Sequence, residues 1–458
     1  MLRVPSNLDA IFKAYDIRGL YPEQLNDDSA QDIGRAFVRF TDASEIVLGR
    51  DMRSSSPGLA RAFARGATAA GADVVDVGLV STDALYFASG RLELPGAMFT
   101  ASHNPAEYNG IKLCRERAAP IGAESGLIEL KALAAERSAG DVPAGAVRER
   151  DILPEYAEHC RGFVDTTKLR GLKVAIDAGN GMAGRTVPLV FGELPLEVVP
   201  LYFELDGTFP NHPANPIEPE NLVDLQKAVA EQGCDLGIAF DGDADRMFLV
   251  DDETTLVSGS LTTALVAERV LRAHPGATII HNLICSWVVR EVIQENGGKP
   301  VRTRVGHSFI KAVMADTGAI FGGEHSGHYY FRENFRADSG IIAALIVLEA
   351  MSEADAPLSK LLAPYRRYSA SGEINSVVAD QQEALERLSQ RYADGRQDWT
   401  DGLTVEYEDW WFNCRPSNTE PLLRLNLEAR TEELMTDKRD EVLGQINGGI
   451  DEHRPTVA

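Results

Sequence analysis

The chain has 458 residues, of which 44% are hydrophobic and 25% charged, which is typical of a globular protein with room for about three domains. Its 45 basic and 69 acidic residues give a formal net charge of −24. This charge argues against binding to the backbone of DNA or RNA, which requires a basic face. Locally grouped arginines would still allow the protein to bind a small anion.

The cysteines and the apolar segments indicate the compartment. Five cysteines are scattered along the chain without a CxxC pair, so neither a disulfide framework nor a thiolate metal site is expected, and a reducing compartment fits best. The N-terminus lacks the apolar segment of a signal peptide, and the longest apolar run, residues 341–348, is too short to span a bilayer. We expect a cytoplasmic protein with no membrane or nucleic-acid partner.

Apolar, β-branched runs alternate along the chain with amphipathic stretches rich in alanine and leucine. Residues 45–51 predict a strand, residues 54–72 a helix with a Ser/Pro start, and residues 73–80 the next strand. Residues 172–184 again predict a strand, followed by a glycine-rich turn. This alternation is typical of an α/β architecture with a mostly parallel sheet.

A weak internal repeat runs through the first three quarters of the chain. Residues 96–113, 236–250 and 318–331 each combine an apolar strand, a short polar loop and a second apolar strand. Coincidence is the alternative, but we interpret the three segments as related α/β domains that each present one functional loop. The pattern changes to α+β after residue 368. The predicted fold is three related mixed-sheet α/β domains plus a C-terminal α+β domain.

The polar loop DGDADR at 241–246 carries three carboxylates at alternate positions. Asp241, Asp243 and Asp245 would share one face of an extended segment and repel one another unless a cation lies between them. A calcium loop requires glycine at its sixth position and glutamate at its twelfth, where this chain has Arg246 and Asp252. We therefore predict a Mg²⁺ site, with Arg246 beside an anion that shares the metal. The alternative is a solvated acidic turn.

The loop TASHNP at 100–105 places Ser102 directly after an apolar strand. The G-x-S-x-G turn of serine hydrolases is absent. We interpret Ser102 as a residue that carries a phosphoryl group, with His103 and Lys112 near enough to move protons or balance charge. The alternative is an ordinary Asn-Pro turn.

Two further loops suit a sugar phosphate. In GGEHSGH at 322–328, Glu324 and Ser326 would lie on one side of an extended loop and suit two adjacent sugar hydroxyls. The segment RPSNTEP at 415–421 offers a guanidinium, two hydroxyls, an amide and backbone N–H groups, which match a terminal phosphate. Those phosphate-binding candidates are Arg415, Ser417, Asn418 and Thr419. For each loop the alternative is a solvent-exposed polar turn.

These four loops and the segment AYDIRG at 14–19 occur in the order found in the α-D-phosphohexomutases. The chain resembles the bacterial phosphomannomutase/phosphoglucomutase branch of that family over essentially its whole length. The resemblance implies four domains around a central cleft. These are residues 1–150 with the phosphoserine loop, 151–255 with the Mg²⁺ loop, 256–368 with the sugar-binding loop, and 369–458 with the phosphate-binding loop.

The resemblance also implies roles for individual residues. Ser102 would be a phosphoserine whose phosphoryl oxygen completes the Mg²⁺ site formed by the three aspartates. Lys112 would be a general acid or base, and Tyr15, Arg18 and His307 match positions that line the cleft. The expected catalytic set is Ser102, His103, Lys112, Arg18 and Arg246.

The activity implied by the resemblance is an isomerase-class phosphotransfer within hexose phosphates. Mannose 6-phosphate and mannose 1-phosphate would interconvert, and glucose phosphates as well, through a hexose 1,6-bisphosphate that also acts as an activator. Because His325 stands where relatives carry methionine or glutamine, the sugar preference stays open. The alternatives are a phosphoglucosamine mutase, a noncatalytic sugar-phosphate-binding relative and a metal-dependent phosphatase. We expect a monomer or a homodimer.

Overall fold

The computed structural model of the protein describes residues 8–136, 142–417 and 422–448. Within them, four β-sheets follow one another along the chain. Three of the sheets mix parallel and antiparallel strands, and the fourth is antiparallel throughout. The fold class predicted from the sequence is therefore confirmed.

The first sheet is formed by the N-terminal third of the chain. Its strands are β1 (Ile17–Leu20), β2 (Glu45–Arg50), β3 (Asp73–Leu79), β4 (Gly96–Phe99), β5 (Tyr108–Cys114) and β6 (Val147–Glu149), and its helices are α1 (Leu8–Ile11), α2 (Asp27–Thr41), α3 (Ser56–Ala69), α4 (Thr82–Leu92) and α5 (Leu127–Glu136). The strand order is β1-β5-β4-β2-β3-β6. The strands and the helix predicted between residues 45 and 80 correspond to β2, α3 and β3.

The second sheet has the order β11-β10-β9-β7-β8, in labels that continue along the chain. The strands are β7 (Lys173–Asp177), β8 (Glu197–Leu201), β9 (Leu236–Phe240), β10 (Met247–Val250) and β11 (Leu256–Val257), and the helices are α6 (Leu153–Arg161), α7 (Ala183–Phe191) and α8 (Val223–Gln232).

The third sheet has the order β13-β12-β14-β15. The strands are β12 (Thr278–Asn282), β13 (Lys299–Thr303), β14 (Phe321–Gly323) and β15 (Tyr329–Phe331), and the helices are α9 (Gly259–Ala273), α10 (Trp287–Glu295), α11 (His307–Thr317), α12 (Gly340–Ala354) and α13 (Leu358–Leu362).

The first three sheets contain the same four-stranded unit. Its strands are β5-β4-β2-β3 in the first sheet, β10-β9-β7-β8 in the second and β15-β14-β12-β13 in the third. In each unit the last three strands are parallel, and the first is antiparallel to its neighbour. The repeat predicted from the sequence is thus present in the structure. Each of its polar loops joins the antiparallel pair, at the carboxyl end of a parallel strand, where α/β sheets bind ligands.

The fourth sheet has the order β16-β20-β19-β18-β17 and packs against two helices. The strands are β16 (Ser369–Ser376), β17 (Arg396–Asp398), β18 (Leu403–Glu406), β19 (Trp410–Pro416) and β20 (Leu423–Ala429), and the helices are α14 (Gln381–Arg391) and α15 (Glu432–Ile446).

The first three sheets share a hydrophobic cluster, whereas the fourth sheet has one of its own. One hydrophobic cluster runs through the first three sheets, where Val47, Ile238 and Phe321 are all completely buried. The fourth sheet buries its own separate cluster. It meets the third sheet through polar contacts such as Arg302 Nη1 to Glu406 Oε1 at 2.5 Å. Among the described residues, no helix combines the length and apolar character needed to cross a membrane.

Candidate active site

The β9–β10 loop of the second sheet contacts the corresponding hairpin loops of the first and third sheets. The Ser102 hydroxyl of the β4–β5 loop donates to Asp241 Oδ2 of the β9–β10 loop at 2.6 Å. Arg246 forms an antiparallel bridge with His328 of the β14–β15 loop, and the next backbone N–H, that of Met247, donates to a carbonyl of that loop at 3.0 Å. One site is therefore assembled from segments more than 200 residues apart.

The β9–β10 loop buries its three carboxylates together. Asp241, Asp243 and Asp245 are almost completely inaccessible, and a ligand oxygen of each lies within 4.8 Å of the others. They converge through a tight turn, in which Ala244 has φ of +63° and donates its N–H to the carbonyl of Asp241 at 3.1 Å. The extended geometry assumed from the alternate spacing is wrong, although the predicted cluster is present.

Lys112, on β5, is the cation closest to this cluster. Its Nζ lies 2.7 Å from Asp243 Oδ2 and 2.6 Å from Asp245 Oδ2. Burial would raise the pKa of Asp243, but the charge and hydrogen bond of Lys112, together with Thr82 and Arg246, hold this pKa below its usual value. Burial, reinforced by the charges of Asp243 and Asp245, raises the pKa of Asp241 to about 8. Three carboxyl groups thus converge beside one ammonium, and a further cation would favour their ionised forms.

The remaining carboxylate oxygens suit a metal ion. Asp243 Oδ1 and Asp245 Oδ1 are buried and accept no hydrogen bond from any residue that the structure describes. A buried carboxylate oxygen without a partner is energetically costly, and a hard divalent cation removes that cost. Three carboxylates within 4.8 Å form a donor set that such a cation prefers. The residues present therefore fit a cation of the Mg²⁺ type.

Ser102 has an unusual backbone conformation. Its φ is +49°, in the left-handed region that non-glycine residues avoid. Its N–H donates to Thr100 Oγ1 at 2.9 Å, and its Oγ lies 3.2 Å from His103 Nδ1. Burial, together with the positive charges of Arg246 and Arg18, holds the pKa of His103 well below its usual value. The imidazole beside Ser102 is therefore neutral near pH 7.

Of the residues predicted to line the cleft, Arg18 lies beside this loop, whereas Tyr15 contacts the segment that leads into α11. Arg18 Nη1 donates to Asn104 Oδ1 of the β4–β5 loop at 2.6 Å. The Tyr15 hydroxyl donates to the carbonyl of Val305 at 3.2 Å, and burial raises the pKa of Tyr15 to about 12. His307 begins α11, and its side chain lies outside what the structure describes.

The β14–β15 loop presents the predicted sugar-binding carboxylate. Glu324 is buried, and its Oε1 accepts from the Tyr330 hydroxyl at 2.6 Å and its Oε2 from Asn282 Nδ2 at 3.1 Å. Ser326 lies two residues further on and is half-buried. The extended loop expected from the sequence is wrong, because the N–H of Glu324 donates to the carbonyl of His328 at 3.0 Å and closes a tight turn.

The predicted phosphate-binding segment begins at the end of β19. Arg415 is buried and donates to Glu373 Oε2 at 2.8 Å, while Arg424 donates to Glu373 Oε1 at 3.0 Å. Ser417 directly follows the strand and is half-buried. Asn418 and Thr419 lie outside the described residues. Glu373 thus gathers two guanidinium groups at the start of the segment.

Sequence reasoning missed His328. Its Nδ1 lies 2.8 Å from Asp338 Oδ2 and 3.7 Å from Asp245 Oδ1, and Asp338 in turn pairs with Lys311 at 3.0 Å. Burial alone would lower the pKa of His328, but Asp245 and Asp338 raise it. The second histidine of GGEHSGH was an available signal. Lys311 ends the segment RVGHSFIK that contains His307, whereas Asp338 belongs to no motif and the sequence offered no signal for it.

Comparison with protein families gives matches along nearly the whole chain. The phosphoglucomutase/phosphomannomutase models match as alpha/beta/alpha domain I over residues 9–137, domain II over 154–254, domain III over 258–368 and the C-terminal domain over 373–445.

Curated relatives and solved structures agree with these matches. The phosphohexose mutases of Xanthomonas campestris pv. campestris are 41% identical over 96% of this chain and 99% of their own. A phosphomannomutase of Escherichia coli is 43% identical over 95% of this chain and 98% of its own. The crystal structure of a phosphoglucomutase/phosphomannomutase family protein from Burkholderia thailandensis superposes with a TM-score of 0.87 at 34% identity, covering 96% of this chain and 98% of that one.

The fold and these relatives define an enzyme of the isomerase class that transfers phosphate groups, as expected from the sequence. The chain belongs to the phosphoglucomutase/phosphomannomutase family, and the family predicted from its motifs is confirmed.

Proposed function

We propose that the protein interconverts mannose 6-phosphate and mannose 1-phosphate, and also the corresponding glucose phosphates, by phosphoryl transfer through Ser102. The observation that carries this proposal is the position of Ser102 Oγ, 2.6 Å from Asp241 Oδ2 in a buried cluster of three carboxylates. The identity to a phosphomannomutase and to phosphohexose mutases supports the choice of substrates.

Asp241, Asp243 and Asp245 would hold Mg²⁺ together with a phosphoryl oxygen on Ser102. A bound Mg²⁺ supplies Lewis-acid stabilisation of the charge that develops on the transferring group. Arg246 lies beside this centre, with Nε 3.6 Å from Asp241 Oδ2, and its fixed positive charge favours the same phosphoryl oxygens. Phosphoserine and Mg²⁺ are thus the groups on which we expect activity to depend.

The reaction consists of two phosphoryl transfers. The free hydroxyl of a hexose phosphate attacks the phosphorus on Ser102, loses its proton to the protein, and leaves the Ser102 alkoxide to be protonated. The resulting hexose 1,6-bisphosphate reorients so that its other phosphoryl group faces Ser102. It then transfers that group to Ser102. Added bisphosphate therefore activates enzyme that has lost its phosphoryl group.

Lys112 is suited to act as a positively charged ammonium group in these transfers. Burial would lower its pKa, but Asp243 and Asp245 raise that pKa well above its usual value. We therefore assign Lys112 to charge stabilisation, because an ammonium whose pKa is raised this far stays protonated and is a poor proton donor or acceptor. Two groups beside Ser102 Oγ can accept its proton: Asp241 Oδ2 at 2.6 Å and the neutral imidazole of His103 at 3.2 Å.

We divide substrate binding among three units, the first, the third and the fourth. Glu324 and Ser326 would bind sugar hydroxyls, while Tyr15 and His307 line the cleft. Arg415, Ser417, Asn418 and Thr419 would hold the phosphate that does not react. Because the fourth sheet has its own core, it can move as a unit while the bisphosphate exchanges its two ends.

The remaining expectations are kept as proposals. We propose domains of residues 1–150, 151–255, 256–368 and 369–458, supported by the four sheets and the four family matches. Five buried, unpaired cysteines fit the reducing cytoplasm, where we place the protein. A monomer or a homodimer remains the prediction.

A coupled assay with mannose 1-phosphate, glucose 1-phosphate and glucosamine 1-phosphate tests the substrate choice. We expect turnover of the first two, stimulation by glucose 1,6-bisphosphate, loss of activity on chelation of Mg²⁺, and none in Ser102→Ala at unchanged thermal stability. Glucosamine 1-phosphate as the best substrate would favour a phosphoglucosamine mutase. Net phosphate release without isomer exchange would indicate a phosphatase, and wild-type activity in Ser102→Ala would exclude the mechanism.

A further inference from the structure

Arg53 is an almost completely buried arginine that points into the β4–β5 loop. Its Nη1 donates to the carbonyl oxygens of Pro105 at 2.7 Å and Tyr108 at 2.9 Å. Its Nη2 donates to those of Ser102 at 2.9 Å and Asn104 at 2.6 Å. One guanidinium therefore gathers four backbone carbonyls of the loop that carries the reactive serine.

The guanidinium itself is held on its other sides. Arg53 Nε lies 3.3 Å from Asp51 Oδ2, and Asp51 Oδ1 accepts from the Arg53 N–H at 3.0 Å and the Ser56 hydroxyl at 2.5 Å. The ring of Phe209 lies 5.1 Å from the guanidinium carbon. At Gly207, a Cβ would lie 2.6 Å from the Cα of Arg53. Contacts from the segment between β2 and α3 and from the segment that follows β8 thus fix the position of the arginine.

The loop needs such an anchor because Ser102 is in a disfavoured conformation. A φ of +49° is unfavourable for serine, so surrounding contacts must hold it there. The contact from Arg53 Nη2 acts on the carbonyl of Ser102 itself, and those to Asn104, Pro105 and Tyr108 act on the residues that follow. Without the guanidinium, relaxation of this φ would turn Ser102 Oγ away from Asp241.

We propose that Arg53 is a positioning residue for phosphoryl transfer: its four carbonyl contacts hold Ser102 in the conformation that directs Oγ at the carboxylate cluster. This role rests on the function proposed above for Ser102. A planar guanidinium can serve four converging carbonyls, whereas the compact ammonium of a lysine, with three donors, cannot reproduce that fork. Charge alone at position 53 is therefore insufficient.

The test compares Arg53→Lys with a control, Arg61→Lys. Arg61 is an exposed residue on α3, so the control makes the same chemical change at a position away from the loop. We measure thermal unfolding, kcat and KM for glucose 1-phosphate, and the rate at which Ser102 gains a phosphoryl group from glucose 1,6-bisphosphate, by intact mass. In Arg53→Lys, kcat and the phosphorylation rate should fall about 100-fold, while KM stays unchanged. This is the typical loss of rate when a reacting atom is displaced by about 1 Å. Arg61→Lys should match the wild type.

A second variant separates positioning from general damage to the fold. In Arg53→Ala, added guanidinium ion at low millimolar concentration should restore part of kcat, and methylammonium should not. The inference is overturned if Arg53→Lys keeps the wild-type kcat, if the lost kcat only follows the unfolded fraction, or if both cations rescue equally. An active wild type with an unaffected Arg53→Lys overturns this inference alone. A wild type that neither gains a phosphoryl group nor turns over overturns the proposed function as well.

Discussion

Lys112→Met is the substitution whose effect on stability follows most directly from the structure. The ammonium lies between Asp243 and Asp245, with both carboxylates buried. Methionine keeps much of the side-chain volume but removes the cation. In the absence of a metal ion, the protein would then have to bury three neighbouring carboxylates without the lysine that offsets them.

The size of the effect follows from the distances. At 2.7 Å and an effective dielectric constant of about 20, each ion pair contributes about 6 kcal/mol before desolvation is subtracted. Removing one partner of a buried pair typically costs about 3–5 kcal/mol, and we expect a loss in this range. The matched control is Lys131→Met, because Lys131 pairs with Asp9 at 2.9 Å on the surface, and that pair is worth less than about 1 kcal/mol.

Urea unfolding in EDTA and in saturating Mg²⁺ measures both quantities. In EDTA, Lys112→Met should lose about 3–5 kcal/mol of unfolding free energy. Mg²⁺ should stabilise the variant more than the wild type, because the same carboxylates then bind a cation without competition from the ammonium. The reasoning is refuted if Lys112→Met loses no more than Lys131→Met in EDTA, or if Mg²⁺ stabilises both proteins equally.

Three further substitutions test other parts of the site. Asp243→Asn should weaken Mg²⁺ binding and kcat together, and an unchanged metal titration would remove Asp243 from the ligand set. Gly242→Ala should destabilise the protein by about 1–3 kcal/mol and lower kcat, because its Cβ would lie 2.4 Å from the carbonyl of Ser102; Gly444→Ala, in an open helical position, should be neutral or stabilising. Glu324→Ala should lower kcat/KM for every hexose phosphate by about 10- to 100-fold through lost hydrogen bonds to the sugar, at unchanged Mg²⁺ affinity; an unaltered kcat/KM would exclude the sugar-binding role.

The repeated architecture was predictable because each repeat is encoded by residues that are neighbours in the sequence. Each of the segments 96–113, 236–250 and 318–331 places an apolar strand, a polar loop and a second apolar strand next to one another, and the structure forms an antiparallel pair from each. The alternation of strand and helix patterns was equally local. The sequence could not show that the three units share one continuous core, because that core depends on packing between distant residues.

The cluster of carboxylates was predictable for the same reason, since Asp241, Asp243 and Asp245 are nearly adjacent in the chain. Their geometry was not, because the positive φ of Ala244 turns the loop where alternate spacing suggested an extended segment. The sugar-binding loop was misjudged in the same way. Both loops close through backbone hydrogen bonds that composition does not encode.

Contacts between distant segments could not be predicted from local sequence patterns. Asp245 and His328 are 83 positions apart, and the structure brings them to 3.7 Å by joining two hairpin loops. Arg53 follows a predicted strand in the sequence, where nothing marks it as the donor to four carbonyls some 50 residues away. The side chains that position a site were therefore harder to predict than the motif residues that react.

Transfer of a labelled phosphoryl group tests the central claim most directly. Enzyme prepared with ³²P-labelled glucose 1,6-bisphosphate should carry one label on Ser102, identified by peptide mapping, and should give it up to unlabelled glucose 1-phosphate as bisphosphate at a rate compatible with kcat. The Ser102→Ala variant should remain unlabelled. Turnover at the wild-type rate without label on Ser102, or with label on another residue, would contradict the account.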